Sequence, residues 1–307
     1  MIRSFAVGDG PELAAAWTAA APADPIGYAR FRDLFLLDRN FDPAGLKVAK
    51  SNGRIDGAAY AVRRLTADDP GIGWIPFFFV HPDARGHGLG RELLTAALEW
   101  LERSEVYFSS YTPNYFLPGL DRARYPAADR LLTGLGFKPQ YDAVAMDRSL
   151  VGYAIPAEVA KRLDELVGED YSFGTPTGDE LTALIHLAGT AFSPDWARAI
   201  REAVVAGMPL ERIVVARDAD RRIVGWAQHA TYEGVIERFG PFGVLPECRG
   251  TGLGKLLLHL TLTRMAAAGA HGAWFLWADA ESAAGRLYLG TGFTITRTFT
   301  ILRRESS

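Results

Sequence analysis

A short glycine-rich pattern occurs twice in the chain, at corresponding places in its two halves. Residues 80–90 have the sequence V-H-P-D-A-R-G-H-G-L-G, and residues 244–254 have V-L-P-E-C-R-G-T-G-L-G. The arginines of the two copies, Arg85 and Arg249, lie 164 positions apart (249 − 85). Each copy follows an apolar run and opens an amphipathic helical run. The chain therefore contains one mixed α/β unit used twice, and this constrains its fold more than any other feature.

The chemistry of such a turn favours an anionic ligand. A strand that turns at once into a helix leaves the first helical N–H groups without internal partners, at the positive end of the helix dipole. Glycines let the main chain approach a phosphate, and an arginine adds a charged donor. The candidate ligand-binding residues are Val80, Arg85, Gly86, His87, Gly88, Leu89 and Gly90 in the first copy, and Val244, Arg249, Gly250, Thr251, Gly252, Leu253 and Gly254 in the second.

Two better-known phosphate loops are excluded by spacing. The dinucleotide fingerprint G-x-G-x-x-G requires a third glycine where this chain has Arg91 and Lys255. The P-loop requires four residues before its Gly-Lys pair and then Ser or Thr. Here only three residues separate Gly250 from Gly254, and Leu256 follows the lysine.

Length and composition fit a two-domain soluble protein. The 307 residues divide naturally into units at 1–155 and 156–307. A net charge of −3 argues against general nucleic-acid binding, and the single cysteine argues against a cysteine-built zinc site, so we expect no metal. No apolar run is long enough to cross a bilayer, so no membrane partner and a cytoplasmic location are expected.

The apolar runs before the two turns each contain a proline, Pro76 and Pro241. Proline cannot donate to a sheet ladder, so its recurrence at matching places predicts a bulge or splay in the central strand of each unit. The second of these strands is predicted over Val235–Val244. A two-residue hairpin turn is predicted at Asn52-Gly53.

These motifs resemble the GCN5-related N-acetyltransferase (GNAT) family. The resemblance rests on R-G-x-G-x-G after V-x-P, and on the later segment from Leu287-Tyr288 to Gly292-Phe293. It implies two tandem GNAT-like α/β (α+β) domains, each with a mixed, mostly antiparallel central sheet flanked by helices, in a layout similar to that of mycothiol synthase. It also implies that the turns hold the pyrophosphate of acetyl-coenzyme A (acetyl-CoA), and that main chain near Phe242 stabilises the oxyanion of a direct transfer.

The resemblance also implies an acid and a base in the second half. Tyr288 occupies the family position that protonates the leaving thiolate, although a core aromatic would suit the same helix. The matching first-half residue is Leu132, which has no proton to give. The first domain is therefore expected to bind a nucleotide-bearing ligand without catalysing. Glu237 is the candidate base, with a solvated carboxylate beside Arg238 as an equal alternative and Glu233 in reserve.

The sequence therefore predicts an N-acetyltransferase that moves an acetyl group from acetyl-CoA to a primary amine of a small molecule in its C-terminal domain. A non-catalytic acyl-CoA-binding or sensing protein is the alternative. The sequence leaves the oligomeric state open, and a monomer is compatible with it because the tandem repeat mimics a dimer.

Overall fold

The computed structural model describes residues 1–64, 71–112 and 114–305. They divide into two units: the first is Met1–Ala143 with Thr298–Ser307, and the second is Val144–Arg297. Both are mixed α/β units with mostly antiparallel strands flanked by helices, as predicted. Among the described residues, no helix combines the length and apolar character needed to cross a membrane.

The first unit is built on an antiparallel run of four strands to which a fifth strand adds in parallel. Its elements in chain order are β1 (Ile2–Ser4), α1 (Asp9–Ala20), α2 (Tyr28–Phe31), β2 (Leu46–Ser51), β3 (Arg54–Arg63), β4 (Ile72–Val80), α3 (Leu89–Leu101), β5 (Glu105–Phe108), α4 (Pro126–Thr133) and the start of β6 (Lys138–Ser149). Asn52 and Gly53 join β2 to β3 with φ values of 48° and 80°, which confirms the predicted hairpin turn.

The second unit repeats this plan around the strand order β10-β9-β8-β7. Its elements are α5 (Ala157–Gly168), β7 (Ser172–Gly174), α6 (Glu180–Ala191), α7 (Pro194–Val205), β8 (Ile213–Arg217), β9 (Ile223–His229), β10 (Phe239–Val244), α8 (Leu253–Ala267), β11 (Gly272–Ala278), α9 (Ala283–Gly290) and the start of β12 (Thr294–Glu305). The predicted strand over Val235–Val244 is too long by four residues. Glu233 and Gly234 take positive φ values of 60° and 67°, so the chain is still turning before Arg238.

Two long strands pass from one unit to the other along the chain. Strand β6 enters the second unit after Ala143, where its residues up to Ser149 pair with β11. Strand β12 enters the first unit at Thr298, where its end pairs with β5 from Leu302 to Glu305. The division therefore falls within these strands and differs from the predicted boundary at residues 155/156.

Candidate functional site

Both glycine-rich turns have the backbone conformation that the anion-binding prediction requires. Gly86 and Gly88 have φ values of 85° and 84°, and Gly250 and Gly252 have values of 80° and 90°. Gly88 immediately precedes α3 and Gly252 immediately precedes α8. Because a side chain is strained in this left-handed region, each turn needs its glycines to present the helix N-terminus to a ligand.

The turn arginines bind main chain, which departs from their expected role as free phosphate donors. The Nε atom of Arg85 donates to the oxygen of Val80 at 3.1 Å, and one terminal nitrogen donates to the oxygen of Ala20 at 2.7 Å. Arg249 repeats the first contact, donating from Nε to the oxygen of Val244 at 3.3 Å. In both copies the arginine fastens the turn to the end of the preceding strand.

The surroundings of the two turns differ. A Cβ placed on Gly86 would have no described neighbour within 4 Å, and one on Gly88 would meet only the Glu92 carboxylate at 3.9 Å. A Cβ on Gly252 would lie 3.3 Å from Cγ of Arg162, whose Nε donates to the oxygen of Thr251 at 2.9 Å. The first turn is therefore open, and an arginine of α5 covers the second.

The central strands are irregular at the predicted prolines. In the first unit β4 and β5 pair in parallel from Ile72 to Ile75, and the register against β3 shifts where Pro76 follows. In the second unit the register between β10 and β9 shifts between Phe239 and Phe242, which flank Pro241. The predicted bulges are confirmed in both copies.

The splay in the first unit opens into a cavity of about 760 Å³. One wall is β4 from Pro76 to Val80, and the turn from Ala84 to Gly90 forms one end. The segment from Ala20 to Asp24 and the start of α4 form the other sides. This volume suits a small-molecule ligand, and its connection with the turn provides a path from a bound phosphate to the splayed strand.

Tyr288 lies in an aromatic cluster of the second unit. Its ring centroid is 4.5 Å from that of Phe275 and 5.7 Å from that of Phe293. Phe239 and Phe242 of β10 lie at 6.0 and 6.2 Å. Burial raises the pKa of Tyr288 above its usual value, so the hydroxyl keeps its proton near neutral pH. Tyr288 therefore lies beside the strand whose register shifts at Pro241, a position that is compatible with an acid.

The two candidate carboxylates occupy different settings. Glu237 lies in a turn before β10, half-buried, and its main-chain oxygen accepts from the N–H of Trp274 at 2.9 Å. The expected partner of Glu237, Arg238, instead binds the carboxylate of Glu233 at 2.8 Å. The carboxylate of Glu233, the reserve base, is therefore held in an ion pair with Arg238.

A polar pair that the sequence analysis missed lies in the first-unit cavity. The hydroxyl of Tyr125, directly before α4, donates to the carboxylate of Asp24 in the loop after α1. Leu132, at the position matching Tyr288, is fully buried in the core and has no such role. The only local signal was a tyrosine before a helix-starting proline, Pro126.

Comparisons with known proteins agree with this architecture. The acetyltransferase (GNAT) family model matches residues 12–114, and an acetyltransferase (GNAT) domain model matches residues 209–295. A mycothiol acetyltransferase of Streptomyces griseus subsp. griseus is 30% identical over 263 residues, covering 82% of this chain and 78% of that protein.

Solved structures share the fold. The GCN5-related glucosamine N-acetyltransferase region of a fungal multi-domain GH3 β-N-acetylglucosaminidase superposes with a TM-score of 0.84 at 20% identity. It covers 99% of this chain, which spans 38% of that larger protein. A tandem GNAT protein from the clavulanic acid biosynthesis pathway superposes with a TM-score of 0.65 at 19% identity, covering 100% and 98% of the two chains. The chain therefore belongs to the GNAT acetyltransferase family, with two GNAT domains in tandem.

Proposed function

We propose that the protein transfers the acetyl group of acetyl-CoA directly to a primary amine of a small molecule. The observation that carries the proposal is the cavity of the first unit, which runs from an open anion-binding turn to a splayed strand. Pyrophosphate would bind the main-chain donors from Gly86 to Gly90, and the thioester arm would follow β4 past Val80. The names of the curated relative and of the fungal structure support a small-molecule acceptor.

The second unit is proposed to catalyse with Tyr288 as the acid and Glu237 as the base. Tyr288 would protonate the leaving thiolate, and its hydroxyl carries its proton near neutral pH. Glu237 would take a proton from the attacking amine, directly or through water. The main chain of Val244 and Phe242 and the turn from Arg249 to Gly254 would hold the coenzyme.

One observation favours the alternative of a non-catalytic acyl-CoA-binding protein. The side chain of Arg162 lies over Gly252, where the coenzyme's pyrophosphate would have to approach the second turn. Binding at the open first turn alone would then suffice for sensing.

The single half-buried thiol, Cys248, is compatible with a reducing compartment, and we place either activity in the cytoplasm.

Turnover separates the two functions. Purified protein is incubated with acetyl-CoA and a panel of amino sugars, amino thiols, and aliphatic and aryl-alkyl amines. We expect amine-dependent release of free coenzyme thiol, together with a product heavier by one acetyl group in mass spectrometry. Tight acetyl-CoA binding in calorimetry, without thiol release above the no-amine control, would support sensing instead.

A further inference from the structure

The first-unit cavity is lined by an acid–base pair with a buried carboxylate, in addition to the anion-binding turn. Asp24 and Tyr125 both line the cavity, and the Tyr125 hydroxyl donates to the Asp24 carboxylate. Asp24 is only 8% exposed. A carboxylate and a phenol in contact, at the wall of an otherwise largely apolar cavity, form a proton acceptor and a proton donor side by side.

The surrounding chain fixes both members of the pair. The indole N–H of Trp17 on α1 donates to the main-chain oxygen of Asp24 at 2.9 Å. The main-chain N–H of Tyr125 donates to the main-chain oxygen of Asp121 at 2.9 Å. The main-chain oxygen of Tyr125 accepts from the N–H of Asp129 at 3.1 Å. The pair therefore joins the loop after α1 to the start of α4 in a defined geometry.

The end of α1, which leads into the Asp24 loop, and helix α4 both contact the anion-binding turn and the start of α3. Arg85 donates to the oxygen of Ala20, four residues before Asp24, at 2.7 Å. A Cβ on Gly90, in the first turn of α3, would lie 3.1 Å from the side chain of Leu131, which is on α4 after Tyr125. A ligand whose phosphate lies at the turn and whose arm enters the cavity would therefore pass between the elements that carry the pair.

We propose that the first unit is itself a catalytic centre for acyl transfer, with Asp24 as the base and Tyr125 as the acid. The amine nitrogen attacks the thioester carbonyl, the C–N bond forms and the C–S bond breaks. Asp24 accepts the proton that the amine loses, and Tyr125 donates its hydroxyl proton to the departing thiolate sulfur. Asp24 then returns a proton to the Tyr125 oxygen, so the products are the amide and the free thiol.

This inference rests on the proposed function and changes one of its expectations. Leu132 was expected to leave the first unit without an acid, because it stands where the second unit has Tyr288. The hydroxyl of Tyr125 enters the same cavity from the beginning of the same helix, seven residues earlier (132 − 125). The residue directly before α4 can therefore supply the missing proton.

The cavity walls define the class of acceptor. Trp17, Phe77 and Phe116 present aromatic surface, and Leu120 adds aliphatic surface. The Asp24 carboxylate would attract an ammonium group before it loses its proton. The geometry therefore fits a primary amine on an aromatic or apolar body.

The test uses the full-length protein and 2-phenylethylamine as the acceptor. In a protein carrying Tyr288→Phe, which silences the acid of the second unit, transfer to this amine should continue. Adding Tyr125→Phe or Asp24→Asn should lower the remaining kcat about a hundredfold, because each removes one proton-transfer group. The acetyl-CoA dissociation constant at the first unit should change less than about threefold, since neither group contacts the phosphates.

The matched control is Tyr141→Phe, which removes the hydroxyl of a tyrosine that is 52% exposed in the same unit, and which should leave kcat unchanged. Thermal unfolding of each variant verifies that it is folded. Unchanged kcat in folded Tyr125→Phe and Asp24→Asn, or loss of all transfer in Tyr288→Phe alone, would overturn the inference while leaving the proposed function intact. No transfer by the unaltered protein to any amine of the panel would instead defeat the proposed function.

Discussion

The Nε atom of Arg162 donates a hydrogen bond to the main-chain oxygen of Thr251 at 2.9 Å, and this contact lays the arginine across the second glycine-rich turn. Its terminal nitrogen also binds the carboxylates of Glu165 and Glu169 at 3.0 and 3.1 Å. These carboxylates compensate the arginine's charge, so we expect its side chain to act on a ligand mainly by covering Gly252. The two turns share a backbone conformation but differ in what a ligand must displace.

Removing this cover should strengthen coenzyme binding at the second turn. Arg162→Ala deletes the side-chain atoms next to Gly252 and leaves the turn backbone intact. We expect affinity there to rise by roughly fivefold, equivalent to about 1 kcal/mol. Isothermal calorimetry with coenzyme A would measure it. Lys161→Ala, on the same helix with a side chain 80% exposed, is the control and should change nothing. Weaker binding in Arg162→Ala would instead identify the arginine as a phosphate ligand.

Binding at the first turn should depend on Gly88. Gly88→Ala places a Cβ at a φ of 84° where the main chain must approach the phosphate, so we expect strained backbone and coenzyme affinity lowered at least about tenfold. Gly53→Ala is a matched control, because Gly53 has a φ of 80° and open space around its Cβ position. Both variants should lose about 1–2 kcal/mol of stability. Equal coenzyme affinity in the two proteins would contradict the assignment of the first turn.

The role of Tyr288 is best measured in a protein that already carries Tyr125→Phe, so that the remaining kcat comes from the second unit. There Tyr288→Phe keeps the ring in its aromatic cluster and removes one hydroxyl. We expect kcat to fall by roughly two to four powers of ten with little change in the KM for acetyl-CoA. Steady-state kinetics with the best amine of the panel would check this. A kcat equal to that of the Tyr125→Phe parent would mean that the Tyr288 hydroxyl has no part in the chemical step.

The sequence predicted what depends on local chemistry and missed what depends on distant pairing. The turn glycines and the bulge prolines, Pro76 and Pro241, were recognisable because each acts through its own backbone. The Asp24–Tyr125 pair joins residues 101 positions apart, so no local pattern contains it. Strands β6 and β12 each run from one unit into the other along the chain, and their pairing partners, β11 and β5, lie far from them in sequence.

The positions of Glu233 and Glu237 also depend on contacts that the sequence pattern does not contain. Glu237 was predicted within an extended strand because the run to Val244 is apolar. The positive φ of Glu233 bends the chain before that run begins. The buried guanidinium of Arg238 then selects Glu233 over its sequence neighbour Glu237. Neither the turn nor the choice of partner is encoded in residue spacing alone.

Stability should decline in mild acid because of a histidine buried in the second unit. His259 on α8 is 2% exposed, and its Nδ1 atom lies 2.6 Å from the hydroxyl of Tyr153. Burial, together with the charges of Arg148 and Lys255, lowers the pKa of His259 to about 4. The neutral form is therefore favoured in the folded protein, whereas the unfolded chain takes up a proton near the ordinary value of 6.5.

As the pH falls from about 6.5 towards 4, the unfolded state binds more protons, so the free energy of unfolding should drop by about 2–3 kcal/mol. His259→Gln retains a hydrogen-bonding group beside Tyr153 but does not titrate, so its free energy of unfolding should depend less on pH in this window. Urea unfolding at several pH values measures both proteins. Some slope should persist in the variant, because burial also lowers the pKa of His229. Parallel curves for the two proteins between pH 6.5 and 4 would show that His259 is not held neutral by the fold.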